Sequence, residues 1–262
     1  MDPANDSRAG RHALPEGGEP APAPAASMCA MLQLRRDADI FRIDGGWFQA
    51  RWHFSFDRYR DPENMGWGSL RVFNDDRLIP GAVWPMHPHR DIEGITYVVE
   101  GTFRHEDDIG TGGILPAGSV QRMTLGSGAW HSEQNAAETE PMRFIQMWIM
   151  PAELGLAPSC EQRVYTKEDR TDTLLEVLSP AGGPGVLVHR DARVFVASLT
   201  PGTSVRRDVP TGFGHYLYLI SGAVELNGEK LATGDAAKIR DEPALEIRAL
   251  EASELITVEV EV

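Results

Sequence analysis

The sequence predicts an all-β protein made of two barrels, and three observations carry that reading. Short apolar runs are broken at close intervals by Gly, Pro, Asn and Asp. Long amphipathic helical stretches are scarce, and two segments of the second half echo two of the first.

Residues 1–30 form an N-terminal extension. Up to about residue 27 it is rich in Pro, Ala and Gly and nearly free of large apolar side chains. Such a segment cannot bury enough surface to offset the entropy of ordering it, so it is expected to be disordered and dispensable. Met28 and Met31 are both candidate natural starts. From Leu32 on, Gly46–Phe56, Gly68–Phe73, Gly94–His105, Val120–Leu125 and Arg143–Met150 each suit a half- or fully buried strand. The clearest helical candidate is Lys167–Leu178, "KEDRTDTLLEVL". A second strand-rich block follows "SPAGGPG", Ser179–Gly185. There "YLISGAVEL", with Tyr218 in the place of Tyr97, echoes "YVVEGTFRH", and "GEKLATGDAAKI" echoes "GGILPAGSVQRM". The expected division is therefore an N-terminal barrel over 31–155 and a C-terminal barrel over 156–262.

The charge balance limits the partners. Arg and Lys number 25 against 39 Asp and Glu, a net of −14. A field of that sign repels nucleic-acid phosphates and anionic lipid, so neither is an expected direct partner. Two cysteines, Cys29 and Cys160, make neither a disulfide framework nor a CxxC metal pattern. No run of about 18 apolar residues could span a membrane, and the N-terminus lacks the layout of a secretory signal. A cytoplasmic monomer is the expectation.

The stretch "MHPHRDIEGITYVVEG" (Met86–Gly101) raises the question of function. Pro88 favours an extended His87, and residues two apart on a strand share a face, so His87 and His89 point the same way. Glu93 shares that parity if the strand continues. In "GSGAWHSEQN", His131 and Glu133 are again two apart. Three imidazoles and one carboxylate from two strands are a ligand set that an intermediate divalent metal favours, with positions left open. Trp130 has the opposite parity and is expected to pack, as are most of the six tryptophans.

Gly81–x5–His87–x–His89 and Gly110–x5–Pro116–x–Gly118 follow the two cupin motifs, with departures: Gly94 stands where a cupin carries its glutamate and Gln121 where it carries a third histidine. The phrases "HPHRDIEGITYVVEG", "HEDDIG", "PAGSVQRMTLGSGAWHSE" and "FIQMWIMP" resemble instead the pirin family, especially its bacterial members. The resemblance implies a bicupin, two tandem cupin barrels with few short helices. It implies metal ligands at His87, His89, His131 and Glu133, and a second barrel without metal. There the HPH positions fall on Asp208 and Pro210, and His189 and His215 read as structural or surface residues. Four further residues are pocket or outer-shell candidates. Glu93 is expected to bond a ligand imidazole or the strand edge, His105 to line the pocket or orient a loop, and Gln121 and Met123 to face the pocket or pack.

Bacterial pirin-like proteins resemble quercetin 2,3-dioxygenases. The implied activity is cleavage of a planar phenolic flavonol by dioxygen with release of carbon monoxide, with Glu133 as general base for the substrate hydroxyl. The implied cofactor is one divalent metal ion, Fe(II) first, with Mn, Ni, Co, Cu and Zn as alternatives. Pirins in animals imply the other reading, a redox-sensing metalloprotein that regulates a protein partner and is not an enzyme.

Overall fold

A computed structural model describes residues 30–262; residues 1–29, and with them nearly all of the expected extension, lie outside the described residues. The described residues are all-β, built from four antiparallel-dominated sheets with two single-turn 3₁₀ segments.

The first barrel has a long sheet in the order β12 (Ser159–Val164), β9 (Ser119–Thr124), β6 (Glu93–Glu100), β11 (Met142–Ile149), β4 (Leu70–Leu78), β3 (Phe48–Trp52), β2 (Phe41–Asp44). Its short sheet runs β5 (Val83–His89), β10 (Ala129–Asn135), β7 (Thr102–Asp107), β8 (Gly112–Pro116). Leu78, Val98, Phe103, Leu115, Met142 and Phe144 join the two sheets in one buried cluster. The second barrel repeats the plan. Its long sheet is β1 (Met31–Arg35), β20 (Ala236–Arg240), β17 (Phe213–Ser221), β22 (Ser253–Glu261), β15 (Ala192–Leu199), β13 (Leu175–Ser179), β14 (Val186–Leu187). Its short sheet is β16 (Ser204–Asp208), β21 (Ala244–Ala249), β18 (Ala223–Leu226), β19 (Glu229–Ala232).

The repeat seen in the sequence is structural. Gly101 and Gly222 turn the chain between paired strands at φ +80° and +93°. A Cβ at either would lie 2.6 Å or less from a backbone carbonyl oxygen, so both the dihedral and the space require glycine. Tyr97 and Tyr218, which the repeat aligns, both bury fully in the layer between the barrels.

That layer is the largest apolar cluster. The two long sheets pack through Phe73, Ile95, Ile145 and Met147 from one side and Val194, Tyr216, Ile256 and Val258 from the other. Through it runs a buried polar knot. Asp75 accepts from Arg143 Nε and Nη2, each at 2.8 Å, from Arg51 Nη1 at 3.0 Å and from Tyr218 OH at 2.6 Å. Burial pushes the Asp75 carboxyl up, but Arg143 and these bonds outweigh it and hold the group below its ordinary range. The knot anchors β4, and strand alternation then turns Asn74 and Asp76 to the opposite face, into the first barrel.

Two sequence expectations need correction. Lys167–Leu178 is not a helix: only Glu168–Arg170 forms a 3₁₀ turn, Asp172 takes φ +55°, and β13 begins at Leu175. So short a segment gains little from helical hydrogen bonds, whereas Val177 and Leu178 bury fully between the barrels when β13 pairs with β14 and β15. The division at 155/156 does not follow the sheets either. β1 pairs with β20 of the second barrel, laying Leu32 and Leu34 on its core, and β12 pairs with β9 of the first. Each barrel completes its long sheet with a strand from the other side of the expected boundary.

Candidate metal centre and its cavity

His87 and His89 lie on β5, an edge strand, where Pro85 and Pro88 leave no interior ladder bond unmade. His131 on β10 pairs directly with His87, but two residues further along Glu133 pairs with Trp84. β5 thus spends one extra residue at Pro85–Met86, a β-bulge. The bulge turns Trp84 to the same side as His87 and His89, and all three line one cavity. It also presents the Pro85 carbonyl, which accepts from His87 Nδ1 at 2.7 Å and so leaves Nε2 of that ring as the lone-pair donor.

The ring nitrogens of His87, His89 and His131 come within 4.8 Å of one another. Burial, and then the neighbouring His87, lower the pKa of His89 to about 4 and that of His131 to about 3. Both rings are therefore neutral donors near pH 7. Neither ring nitrogen of His131 has a hydrogen-bond partner, although both are buried. A buried imidazole with two orphaned nitrogens is costly unless something else satisfies it. A cation held by the three rings does so, and the donor set fits a divalent transition ion.

Glu133 lies beside this triad but outside the group whose ligand atoms are mutually within 4.8 Å. Its Oε1 accepts from Gln146 Nε2 at 2.9 Å, and Gln146 Oε1 accepts from Thr96 Oγ1 at 2.8 Å. Burial raises the Glu133 carboxyl to about 7, against a smaller lowering from Gln146.

The cavity has a volume of about 340 Å³. Phe48, Trp52, Phe56, Trp84 and Trp148 wall it, with ring centroids 4.8 Å apart for Phe48 and Trp84, 5.2 Å for Trp52 and Phe56 and 5.4 Å for Phe56 and Trp148, and Asn74, Asp76, Glu133 and Gln146 are polar groups in the lining. Trp148 also meets the His89 ring at 4.7 Å, edge to face. Half of the six tryptophans are therefore not plain core: Trp52, Trp84 and Trp148 shape the cavity. Trp130, expected to pack, is 47% exposed on the outer face of β10.

The remaining candidates divide. Glu93 is not an outer-shell partner of a ligand histidine. Asp91 takes φ +56° and ends the strand parity that the sequence suggested; Glu93 then opens β6 and accepts from His189 Nδ1 at 2.7 Å, from the His189 backbone at 2.8 Å and from Thr124 Oγ1 at 2.9 Å. It ties the first barrel to the chain leading into the second. His105 sits behind His131, centroids 5.8 Å apart, with Nε2 donating to Asp107 Oδ2 at 2.9 Å and Nδ1 accepting from Gln121 Nε2 at 3.2 Å. Asp107 also accepts from the backbone of Ile109 and Thr111, so His105 braces a loop and does not line the cavity. Gln121 is committed to His105 and to Gln162, and Met123 packs with Ile92, Leu125 and Ala129. Cys160 completes a second donor group with His105 and Asp107, but both ring nitrogens and the carboxylate there already have partners.

Residues 34–149 match the family model described as Pirin, and residues 176–260 match the one described as Quercetinase C-terminal cupin domain. A pirin-like protein of Caulobacter vibrioides is 41% identical over 218 residues, 82% of this chain and 94% of that protein. The chain belongs to the pirin family. Among other pirin relatives, a protein named quercetin 2,3-dioxygenase from Escherichia coli K12 is 38% identical over 86% of this chain and 97% of its own length. The crystal structure of the bacterial pirin YhhW from E. coli in complex with nickel(II) superposes with a TM-score of 0.81 at 35% identity, covering 88% of this chain and 99% of that one.

The second half of this pirin carries no such donor group among the described residues. In β16 the half-buried positions are Val205, Arg207 and Val209 of the following loop, not the expected Asp208 and Pro210, which are exposed. His215 is buried against Thr257 and Glu259, and His189 is the clasp to Glu93.

Sequence reading missed Asn74, Asp76 and Gln146. The signal was present as "NDD", three polar residues in an otherwise apolar strand (Asn74–Asp76), whose alternation puts Asn74 and Asp76 on one face and Asp75 on the other.

Proposed function

We propose that the three imidazoles hold one divalent metal ion, Fe(II) first among the candidates, with Glu133 as a weak fourth ligand and general base. On this reading the protein opens a planar flavonol such as quercetin with dioxygen and releases carbon monoxide. The observation that carries it is the orphaned His131 ring facing His87 and His89 at the end of an aromatic-walled cavity. The names of the relatives and the nickel held by YhhW support the same reading.

When bound, the ion supplies Lewis-acid activation of the flavonol hydroxyl and a redox route to dioxygen. The chain's own residues do the rest. The aromatic walls hold a flat ring system by stacking and exclude bulk water from it. Glu133 takes the hydroxyl proton. Its carboxyl, raised to about 7 by burial and held in place by Gln146, is matched to that task near neutral pH. His87, fixed through its Nδ1–H to Pro85, keeps the donor geometry rigid.

Metal analysis alongside a flavonol assay tests this: metal-replete protein should consume flavonol and dioxygen with release of carbon monoxide, and chelated protein should not. Equal rates for the two would sink it. The second reading, a redox-sensing regulator, is supported by exposed apolar side chains behind the same strands, Val83, Met86, Ile114 and Trp130. It is tested by capture of a protein partner that responds to iron oxidation state.

A further inference from the structure

The polar lining of the cavity is unevenly satisfied. Gln146 is used at both ends, by Thr96 and by Glu133. Asn74 and Asp76 are not. Asn74 Oδ1 is buried and has no partner. Asp76 is 5% exposed, lines the same cavity, and has the like-charged carboxyls of Glu133 and Asp75 as its neighbours. The two residues are neighbours on one face of β4, in a strand whose opposite face is pinned at Asp75. Across the sheet, Asn74 pairs with Gln146 and Trp52, so its row contains an aromatic wall of the cavity and the residue that holds Glu133.

A protein interior rarely leaves two adjacent polar groups unpaired unless a ligand completes them. An apolar ring edge against β4 would seal both groups away from water without a partner. A phenolic hydroxyl supplies the donor that these acceptor oxygens lack, one hydrogen for each oxygen.

We infer that Asn74 and Asp76 are the specificity-determining residues of the cavity and select substrates that carry a second hydroxyl directed at β4, in addition to the one taken by the metal end. The substrate class is then a polyhydroxylated planar phenol rather than any flat enol. This rests on the flavonol reading of the site. A site built to bond a hydroxyl discriminates strongly against the analogue that lacks it, so a preference of at least ~10-fold is expected.

The test compares quercetin with 3-hydroxyflavone, which has only the metal-end hydroxyl. Binding is read on metal-free protein by quenching of the fluorescence of the cavity tryptophans Trp52, Trp84 and Trp148. Wild type should bind quercetin at least ~10-fold more tightly, and that ratio should collapse toward unity in Asp76→Ala. Asp76→Leu, which refills the volume, provides the same measurement if the alanine variant folds poorly. Asp76→Asn, which keeps an acceptor and a donor, should retain part of the preference. A merely structural residue would lower the thermal midpoint and leave the ratio alone. An unchanged ratio in folded Asp76→Ala and Asp76→Leu overturns the inference, as does a wild type that binds both flavonols equally. A wild type with the binding preference but no turnover of either flavonol when metal-replete would refute the dioxygenase reading while supporting this one.

Discussion

The two barrels share one plan and differ inside. In the first, the short sheet places His131 opposite His87, with Glu133 further along; in the second, the matching strands put Ile247 opposite Val205 and Leu245 opposite Arg207. The second interior is closed by Leu217, Leu219, Val224, Leu231, Ile239, Leu245, Ile247 and Leu255, all buried and apolar. The first keeps Asn74, Asp76, Thr96, Gln121, His131 and Glu133 buried, and leaves Asn74 Oδ1 and both His131 ring nitrogens without a partner. An interior that leaves polar groups waiting for a ligand loses stability relative to a packed one. The first barrel carries the candidate donor group, whereas the second closes most of its interior with apolar side chains and pairs its buried Glu259 with His215 and Arg207.

The comparison breaks most completely at His131. His131→Ala is expected to lose metal and activity together, with metal affinity falling by more than the roughly 10- to 100-fold that outer-shell changes cost at metal sites. Elemental analysis after dialysis checks it. Wild type should retain about one equivalent, the stoichiometry of a single donor set, and two retained equivalents would give the second barrel a site that the comparison denies.

Glu133→Gln separates holding the metal from moving the proton. Metal content should stay largely intact because three imidazoles remain, while flavonol turnover falls by roughly 10²- to 10⁴-fold, the usual value of a general base. Wild-type turnover in a metal-loaded Glu133→Gln protein would remove the carboxylate from the chemistry.

Stability should respond in opposite directions in the two interiors. Ile247→Asp places an unpaired carboxyl in the apolar barrel and should cost about 4 kcal/mol or more. Asp76→Leu removes an unpaired carboxyl from the polar barrel and should hold or raise the melting midpoint. Urea unfolding of the pair reads both signs, and equal destabilisation would mean that the interiors do not differ as described.

The smallest effect concerns acid. Burial pushes Glu259 up, but His215 and Arg207 outweigh it and bring the carboxyl down to about 2. Arg193 also reaches it, at 3.3 Å, and Glu176 faces the same arginine. A lowered folded pKa stabilises above the unfolded value near 4.5 and loses that contribution as pH falls toward 2, by up to about 3 kcal/mol. Wild type should therefore lose stability more steeply than Glu259→Gln between about pH 4.5 and 2. Parallel slopes would count against the ion pair.

What the sequence determined by itself was local. Strand alternation and turn glycines are encoded within a few residues, so the all-β class, the repeat around Gly101 and Gly222 and the two histidine-bearing stretches were legible without coordinates. Tertiary structure decided whatever depends on which strand lies beside which. β1 and β12 crossed the linear boundary because an open sheet edge gains more from pairing than from staying with its sequence neighbours. Leu175–Ser179 became a strand because a long-range sheet offered burial that a short helix could not. The bulge at Pro85–Met86, the turn of Glu93 away toward His189, and the row that brings Asn74 beside Gln146 and Trp52 are all matters of register. Register is set by non-local pairing and by the face each strand must bury, and no window of sequence contains both partners.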